Sequence, residues 1–302
     1  MAADRERFAA LIERYIAEVI PTKKDWAKQQ VPQLKTWLTL IGDVTLSRVT
    51  PDAISRAMAT IKATPFTRKA GGTEYTHSPA VVNRYFAALA HCMHKAEDWG
   101  LIERNPCERV DKLKEPTGRA RFLTDDERAR LLAETAKNPS LRVIILLLLA
   151  SGARDMEVRA LRWKQVDLVR GQAVIEGTKN GTRRVLFFAG EAHDALQAWA
   201  RVRRIDTDLV FPGTTGKKPI YIEQAWRRAR RRAGLEENLR MHDLRHTAAT
   251  EMAGGGASLP QIGAVLGHKS LQMTMRYAHL TEQSQGDVAR AAALRMIPSK
   301  KS

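Results

Sequence analysis

In the first third of the chain, apolar residues recur at intervals of three and four. Phe8, Leu11, Ile12, Tyr15, Ile16 and Val19 predict a helix over 4–19, closed by Pro21. Trp26, Val31, Leu34, Trp37, Leu38 and Ile41 predict a second over 25–41, with Pro32 marking a kink or restart and Gly42 a stop. Thr50-Pro51-Asp52 reads as a cap followed by a first-turn proline, opening a helix to about Ile61. Residues 62–77 are polar, contain Gly71-Gly72 and read as a loop. Ser78-Pro79 opens a fourth helix through Val81, Val82, Tyr85, Leu89 and Met93, ending near Trp99-Gly100.

The pattern then changes. From Asn105 to Arg121 the chain carries Pro106, Lys112, Lys114, Pro116, Gly118, Arg119 and Arg121, which reads as a basic, extended linker. A boundary near Glu115 gives two domains, 1–115 and 116–302. Thr124-Asp125-Asp126-Glu127 is a capping-box string for a helix to about Ala136, and 139–150 is apolar on most faces, hence central. After the turn Ser151-Gly152-Ala153-Arg154 comes a short helix with Met156, Val158, Leu161 and Trp163. Here the period shortens: 172–176 and 183–188 read as two strands joined through Asn180-Gly181, a hairpin signal. Helices resume at 191–203, 221–233, 242–253, 259–266 and 270–277, with a tail helix over 282–295 whose apolar positions are Val288, Ala291, Ala292, Leu294 and Met296. The fold class is mainly α, with one small β-hairpin in the second domain.

Charge narrows the partner. The chain has 302 residues, 50 Lys and Arg against 33 Asp and Glu, and a net charge of +17, while 44% of residues are apolar. A chain with enough apolar residues for a core and so large a cationic excess points to a polyanion, most simply a nucleic acid. Cys92 and Cys107 are the only cysteines, which suits a reducing cytosol and excludes a disulfide scaffold. His91 and His94 beside Cys92 give too few ligands for a closed zinc site. The N-terminus has no apolar signal core, and 143–150, the longest apolar run, is too short to span a bilayer. The reading is a cytoplasmic protein with no membrane partner.

The candidate chemistry gathers in the last third, with two cations supplied from upstream. Arg154, Lys179, His242, Arg245, His268 and Tyr277 stand at element ends and turns, where functional groups are usually carried. No carboxylate pair stands with them, which disfavours two-metal hydrolysis, and His242-Asp243 has no matching serine elbow. Phosphoryl transfer fits. Two guanidiniums can grip the non-bridging oxygens of a phosphodiester and neutralise the five-coordinate centre. A tyrosine can attack phosphorus to form an ester, a lysine can protonate the leaving 5′ oxygen, and histidines can donate to phosphate or handle the tyrosyl proton. Lys164 and Arg183 compete with Lys179 for the lysine's role. His246 and His279 are read as structural, and Gly254-Gly255-Gly256 as a helix end.

Five strings in order carry a resemblance: Ser-Gly-Ala-Arg-Asp-Met-Glu-Val-Arg-Ala-Leu-Arg-Trp (151–163), the hairpin Lys179, His-Asp-Leu-Arg-His-Thr (242–247), Leu-Gly-His (266–268) and Met-Arg-Tyr-Ala-His (275–279). Together they resemble the tyrosine recombinases, the phage-integrase family, over about 124–280. A looser likeness to the family's helical core-binding, SAM-like domain lies at 78–85 and 99–106. Ser151 stands where threonine is usual, and Ala153 and Ala248 are small variants that remove no reactive group.

The resemblance implies a DNA breaking-rejoining fold and a site-specific DNA recombinase. In it Arg154 and Arg245 clamp phosphate, Lys179 is the general acid, His242 and His268 are auxiliary, Glu157 orients a catalytic cation, and Tyr277 forms a 3′-phosphotyrosyl link. It implies no metal and no cofactor, a homo-oligomer on double-stranded DNA that is tetrameric in synapsis through a Holliday junction, and accessory DNA-bending proteins as possible partners. The tail helix can pack on its own domain or, as the resemblance implies, dock in trans on a neighbouring protomer, which is the expectation taken. The core-binding unit starts almost at once, as in a two-domain enzyme or a truncated one. Lys112, Lys114, Arg119, Arg121 and, from the run 227–232, Arg227, Arg228 and Arg231 are expected to touch phosphates, so that two basic zones close around DNA. A type IB topoisomerase-like relaxing enzyme and a non-catalytic DNA-binding regulator with the same fold remain alternatives.

Overall fold

A computed structural model describes residues 2–23, 28–67, 72–116, 121–176 and 183–280, with positions 286 and 296. The chain divides into two compact units, Met1–Gly118 and Arg119–Ser302.

The first unit is built on four helices: α1 (Phe8–Glu18), α2 (Gln30–Ile41), α3 (Pro51–Ala63) and α4 (Pro79–Asp98). Their apolar stripes meet around Tyr15, Trp37, Ile54, Leu89 and Met93, each at most 1% exposed. The Thr50 hydroxyl caps α3 by accepting from the amide of Ala53 at 3.2 Å. Pro32 causes no kink: α2 begins at Gln30, so the proline sits in the first turn, where its missing N–H costs nothing. The stretch read as a loop holds a two-residue ladder, β1 (Phe66–Thr67) against β2 (Glu74–Tyr75). Cys92 and Cys107 are buried, and burial pushes both thiols up to about 12, which leaves them protonated.

The basic stretch after α4 is held by one side chain. Asn83, 7% exposed, accepts from the amide of Leu113 at 2.9 Å and donates to its carbonyl at 2.9 Å and to Glu115 at 2.7 Å. The amide imitates a paired strand, so Lys112 and Lys114 lie exposed on either side of an anchored backbone.

In the second unit α5 (Asp125–Thr135) starts on a capping box, Thr124 and Glu127 each satisfying the other's backbone amide. α6 (Pro139–Ser151) is central, with Leu141, Ile144, Ile145 and Leu148 at most 1% exposed. It ends on Gly152, whose φ of +58° closes the helix. The one-turn α7 (Asp155–Arg159) leads into a three-stranded antiparallel sheet: β3 (Val166–Asp167), β4 (Gln172–Ile175) and β5 (Arg184–Phe187), with Ile175 opposite Arg184 at the hairpin mouth. Then come α8 (Glu191–Ala200), α9 (Glu223–Arg232), α10 (Met241–Gly254), α11 (Leu259–Leu266) and α12 (Leu271–Thr274), with a 3-10 turn at Met275–Tyr277. α8 and α10 pack on α6. α10, α11 and the last turn share a separate small core of Ala249, Ala253, Ile262, Leu266 and the Tyr277 ring. The expected tail helix lies, apart from 286 and 296, outside the described residues.

Candidate active site

Arg245 is the fixed point. It is 3% exposed, and its two terminal nitrogens donate to the carbonyls of Gly152 and Leu266, each at 2.7 Å. Both acceptors lie at helix C-termini, the cap of α6 and the last residue of α11, where carbonyls lack partners and carry partial negative charge. Two helix ends therefore neutralise and orient one buried cation. Burial, then Arg184 and Arg154, pushes its pKa down to about 10, so it stays charged at neutral pH. Gly152 permits this arrangement: a Cβ there would stand 2.5 Å from the Leu266 side chain.

Arg154 sits at the N-cap of α7 and donates to Glu157 at 2.7 Å, while its backbone amide donates to the other carboxylate oxygen at 2.8 Å. Glu157 is shared. Arg184, only 7% exposed in its side chain, donates to the same carboxylate at 2.5 Å and twice to the carbonyl of Val265, at 3.1 and 2.7 Å. Burial works against the Glu157 anion, but the Arg154 amide, Arg184 and the Arg154 guanidinium outweigh it, and its pKa is lowered. One carboxylate thus ties the start of α7, the hairpin and the end of α11 together. Gly267 gives Arg184 its room, since a Cβ there would lie 2.9 Å from the arginine's Cδ.

His242, His246 and Tyr277 complete the wall. The Tyr277 hydroxyl is 2.6 Å from Nδ1 of His246, and the His246 ring meets His242 edge-on at 5.1 Å. Nδ1 of His268 is 2.7 Å from the Thr274 hydroxyl, which is wholly buried. His242 keeps an exposed edge, yet desolvation, then Arg245, still lowers its pKa. Burial, followed by neighbouring positive charge, pushes His246 and His268 down to about 4. Burial raises the Tyr277 phenol, and Arg276 and Arg245 pull against that rise. Arg154, His242, Arg245, His246, His268 and Tyr277 line one cavity of about 100 Å3, with Met273 and Arg276. Beside it lies an open cleft of about 1,300 Å3 whose wall includes Arg154, Glu157, Arg183, Arg184, His268 and Lys269.

Five of the six predicted catalytic residues therefore line one cavity, and Glu157 braces Arg154 behind it. The sixth, Lys179, lies outside the described residues, as does Arg119. Of the competitors for the lysine's role, Arg183 lines the open cleft and Lys164 lines neither space. Sequence reading took His246 as structural and did not name Arg184 or Thr274; the structure sets His246 in the cavity wall, Arg184 in the cleft wall and Thr274 against His268.

Among the expected phosphate contacts, Lys112 and Lys114 are exposed. Arg121 is a correction: it is no open linker cation, because its guanidinium is paired with Glu127 and its side chain is only 16% exposed. The ion pair anchors the entry to α5. On α9 the apolar face formed by Trp226 and Ala229 is buried, leaving Arg227, Arg228 and Arg231 exposed, with Arg227 bonded to Glu223 at 2.9 Å. Arg230 turns inward to the carbonyl of Leu239 at 3.0 Å. Among the described residues no three His, Cys, Asp or Glu side chains form a metal-binding group, and no helix is long and apolar enough to cross a membrane.

Comparison with known families places this geometry. The profile of the phage integrase family matches residues 121–284. The chain belongs to the phage integrase family. Among relatives, it is 37% identical over 188 residues to the shufflon-specific DNA recombinase of Escherichia coli, covering 61% of this chain but only 46% of that protein's length. It is 28% identical over 288 residues to the tyrosine recombinase XerC of Corynebacterium glutamicum, covering 92% of this chain and 83% of the relative. The fold of this integrase-family chain matches a Tn1549 transposon integrase solved in complex with transposon right end DNA, with a TM-score of 0.75 at 18% identity over 95% of this chain and all of that one.

Proposed function

We propose that the protein is a site-specific DNA recombinase that breaks and rejoins strands through a 3′-phosphotyrosyl intermediate. One observation carries this reading: the Tyr277 hydroxyl shares a small cavity with Arg154, Arg245, His242 and His268. A phosphodiester seated there meets two guanidiniums, which neutralise the charge that builds as phosphorus becomes five-coordinate. Tyr277 attacks phosphorus, and the bond to the 5′ oxygen breaks. Lys179, which follows β4 in the sequence, protonates that oxygen. His242 and His268 donate to the phosphoryl oxygens. The ester conserves the energy of the broken bond, so the reaction calls on no cofactor and no metal. The relatives named as recombinases support the same assignment.

The first unit acts as the core-binding domain, and Lys112, Lys114, Arg228 and Arg231 hold phosphates without reading sequence. The protein works as a homo-oligomer on double-stranded DNA, a tetramer at synapsis, in the cytoplasm, with DNA-bending proteins as accessory partners. The test is covalent capture. The full chain is incubated with nicked duplexes of randomised sequence, and DNA that stays bound to protein in detergent is recovered and sequenced. Wild type yields an adduct with a shared site, and Tyr277→Phe yields none. DNA binding by both proteins without an adduct would leave the regulator reading standing. Adducts without sequence preference, with plasmid relaxation, would favour a topoisomerase.

A further inference from the structure

We propose that His246 is a catalytic residue, the base that takes the proton from Tyr277 as the phenol attacks phosphorus. This rests on the reading of Tyr277 as nucleophile. It starts from the geometry. A tyrosine in this role must lose its proton, and Nδ1 of His246 is 2.6 Å from the oxygen that holds it. With the ring's own proton on Nε2, Nδ1 accepts from the hydroxyl. His242, by contrast, meets His246 ring to ring, and His268 is bonded through Nδ1 to Thr274. Those two histidines are placed for the phosphate, and His246 for the nucleophile.

His246 is 6% exposed and is carried mid-helix on α10, next to the pinned Arg245, so its position is set by the same anchor as the phosphate grip. The Tyr277 ring is packed in the small core of Ala249, Ala253, Ile262 and Leu266, which holds the hydroxyl at the imidazole. The step balances: the tyrosyl oxygen bonds to phosphorus, its proton passes to Nδ1, the bond to O5′ breaks, and Lys179 supplies the proton to O5′. In the reverse step the imidazolium returns the proton to the departing phenolate.

The charges around the ring suit a base that is switched on by its substrate. His242, Asp243 and Arg245 face it from its own helix, and Arg276 and Tyr277 from the last turn. Without DNA, burial and the cations keep the ring neutral and its proton affinity low. A phosphodiester in the cavity brings a negative charge that offsets Arg245 and Arg276, raising that affinity where the proton must land.

The test uses the DNA site captured by wild type. His246→Asn keeps an oxygen near the Nδ1 position, able to accept the hydroxyl bond but not to carry a proton at neutral pH. Single-turnover cleavage should fall about 100-fold or more with DNA binding unchanged, and the acid limb of the wild-type pH profile should disappear. A bridging sulfur in place of O5′ needs no protonation to leave, so it should restore Lys179→Ala and leave His246→Asn slow. Cleavage by His246→Asn within a few-fold of wild type, or its restoration by the sulfur substrate, would overturn the proposal. Should that variant not fold, His246→Ala with added imidazole decides: cleavage restored by imidazole supports the proposal, and cleavage near the wild-type rate without imidazole, or no gain from it, overturns it. Failure of the underlying reading looks different, because then wild type itself forms no Tyr277 adduct.

Discussion

Each unit of the molecule buries one tyrosine against one histidine. In the first unit the Tyr15 hydroxyl is 2.9 Å from Nδ1 of His91, and in the second the Tyr277 hydroxyl is 2.6 Å from Nδ1 of His246. Both rings are almost fully buried, and burial does most to raise both phenols. What surrounds them differs. Tyr15 has Lys23 at 2.6 Å and Gln30 beside it, and this cluster satisfies itself. The neighbouring Cys92 adds to the rise of that phenol. Around Tyr277, Arg245 is bound to carbonyls and Arg154 to a carboxylate behind the cavity, and Arg276 and Arg245 ease the phenol back toward ionisation. A tyrosine–histidine hydrogen bond is thus a packing device in one place and a candidate reaction centre in the other. The difference lies in whether an anion has somewhere to sit.

The largest effect should come from the group that makes this difference. Arg245→Lys keeps a charge but replaces a fork that spans two helix ends with a point donor. One of the carbonyls of Gly152 and Leu266 is then left without its partner, and the cation no longer faces the cavity. Cleavage measured as tyrosyl adduct should fall about 100-fold to 1,000-fold. An adduct rate equal to wild type would mean that the arginine is not what separates the two tyrosines.

Next comes the brace. Glu157→Gln removes the charge that Arg154 and Arg184 share, leaving Arg184 buried against a neutral amide. Breaking such a buried pair should cost about 3 kcal/mol in denaturant unfolding, and the loosened Arg154 should slow cleavage about tenfold to 100-fold. The counterpart in the first unit is the exposed pair Arg14 and Glu18 at 3.1 Å. There Glu18→Gln should shift stability by less than about 0.5 kcal/mol. Equal costs at the two sites would show that Glu157 is only a surface partner.

Much of this second site was legible in the sequence, because its members sit in short strings at element ends: Arg154 after a glycine turn, His242 and Arg245 one helical turn apart, His268 after Leu-Gly, and Tyr277 in the last turn. The long helices were equally plain, since caps such as Thr124 with Glu127 are local. Illegible were the features made by distant partners. Arg184 meets Val265 across 81 positions and His246 meets Tyr277 across 31, and no string within either segment announces the meeting. Strand β3 has two residues and exists only by pairing with β4, just as β1 exists only by pairing with β2. Arg121 reads as a linker cation until Glu127, six positions on, folds back onto it through its capping box.

A smaller effect should appear with pH. His246 and His268 are pushed down to about 4 in the folded protein, against about 6.5 for a histidine in an unfolded chain. Between those values the unfolded state binds more protons, so stability is present above about pH 6.5 and is lost as pH falls toward 4. Thermal unfolding should therefore move down by several degrees from pH 7 to pH 5, and His246→Asn should flatten the curve. DNA should flatten it as well, by offsetting the cations around the cavity. His91 is also lowered, by burial and then by Lys23 and Lys95, but DNA should leave its share untouched if only the second cavity receives a phosphate. A slope that DNA does not change would place the titrating histidines away from the bound anion.

The smallest effect should come from the other tyrosine. Tyr15→Phe leaves the ring in place among its apolar neighbours and removes one hydroxyl. His91 loses a partner, while Lys23 keeps Gln30 at 3.2 Å. A net hydrogen bond of this kind contributes about 1 kcal/mol, so the unfolding midpoint should drop slightly. Adduct formation should stay at the wild-type rate, because among the described residues the partners of this oxygen are Lys23, Gln30 and His91, with no pair of arginines to hold a phosphate. Loss of the adduct in Tyr15→Phe, with the fold intact by circular dichroism, would mean that the first unit's pair takes part in the chemistry, and that burial with a histidine matters more than the phosphate grip.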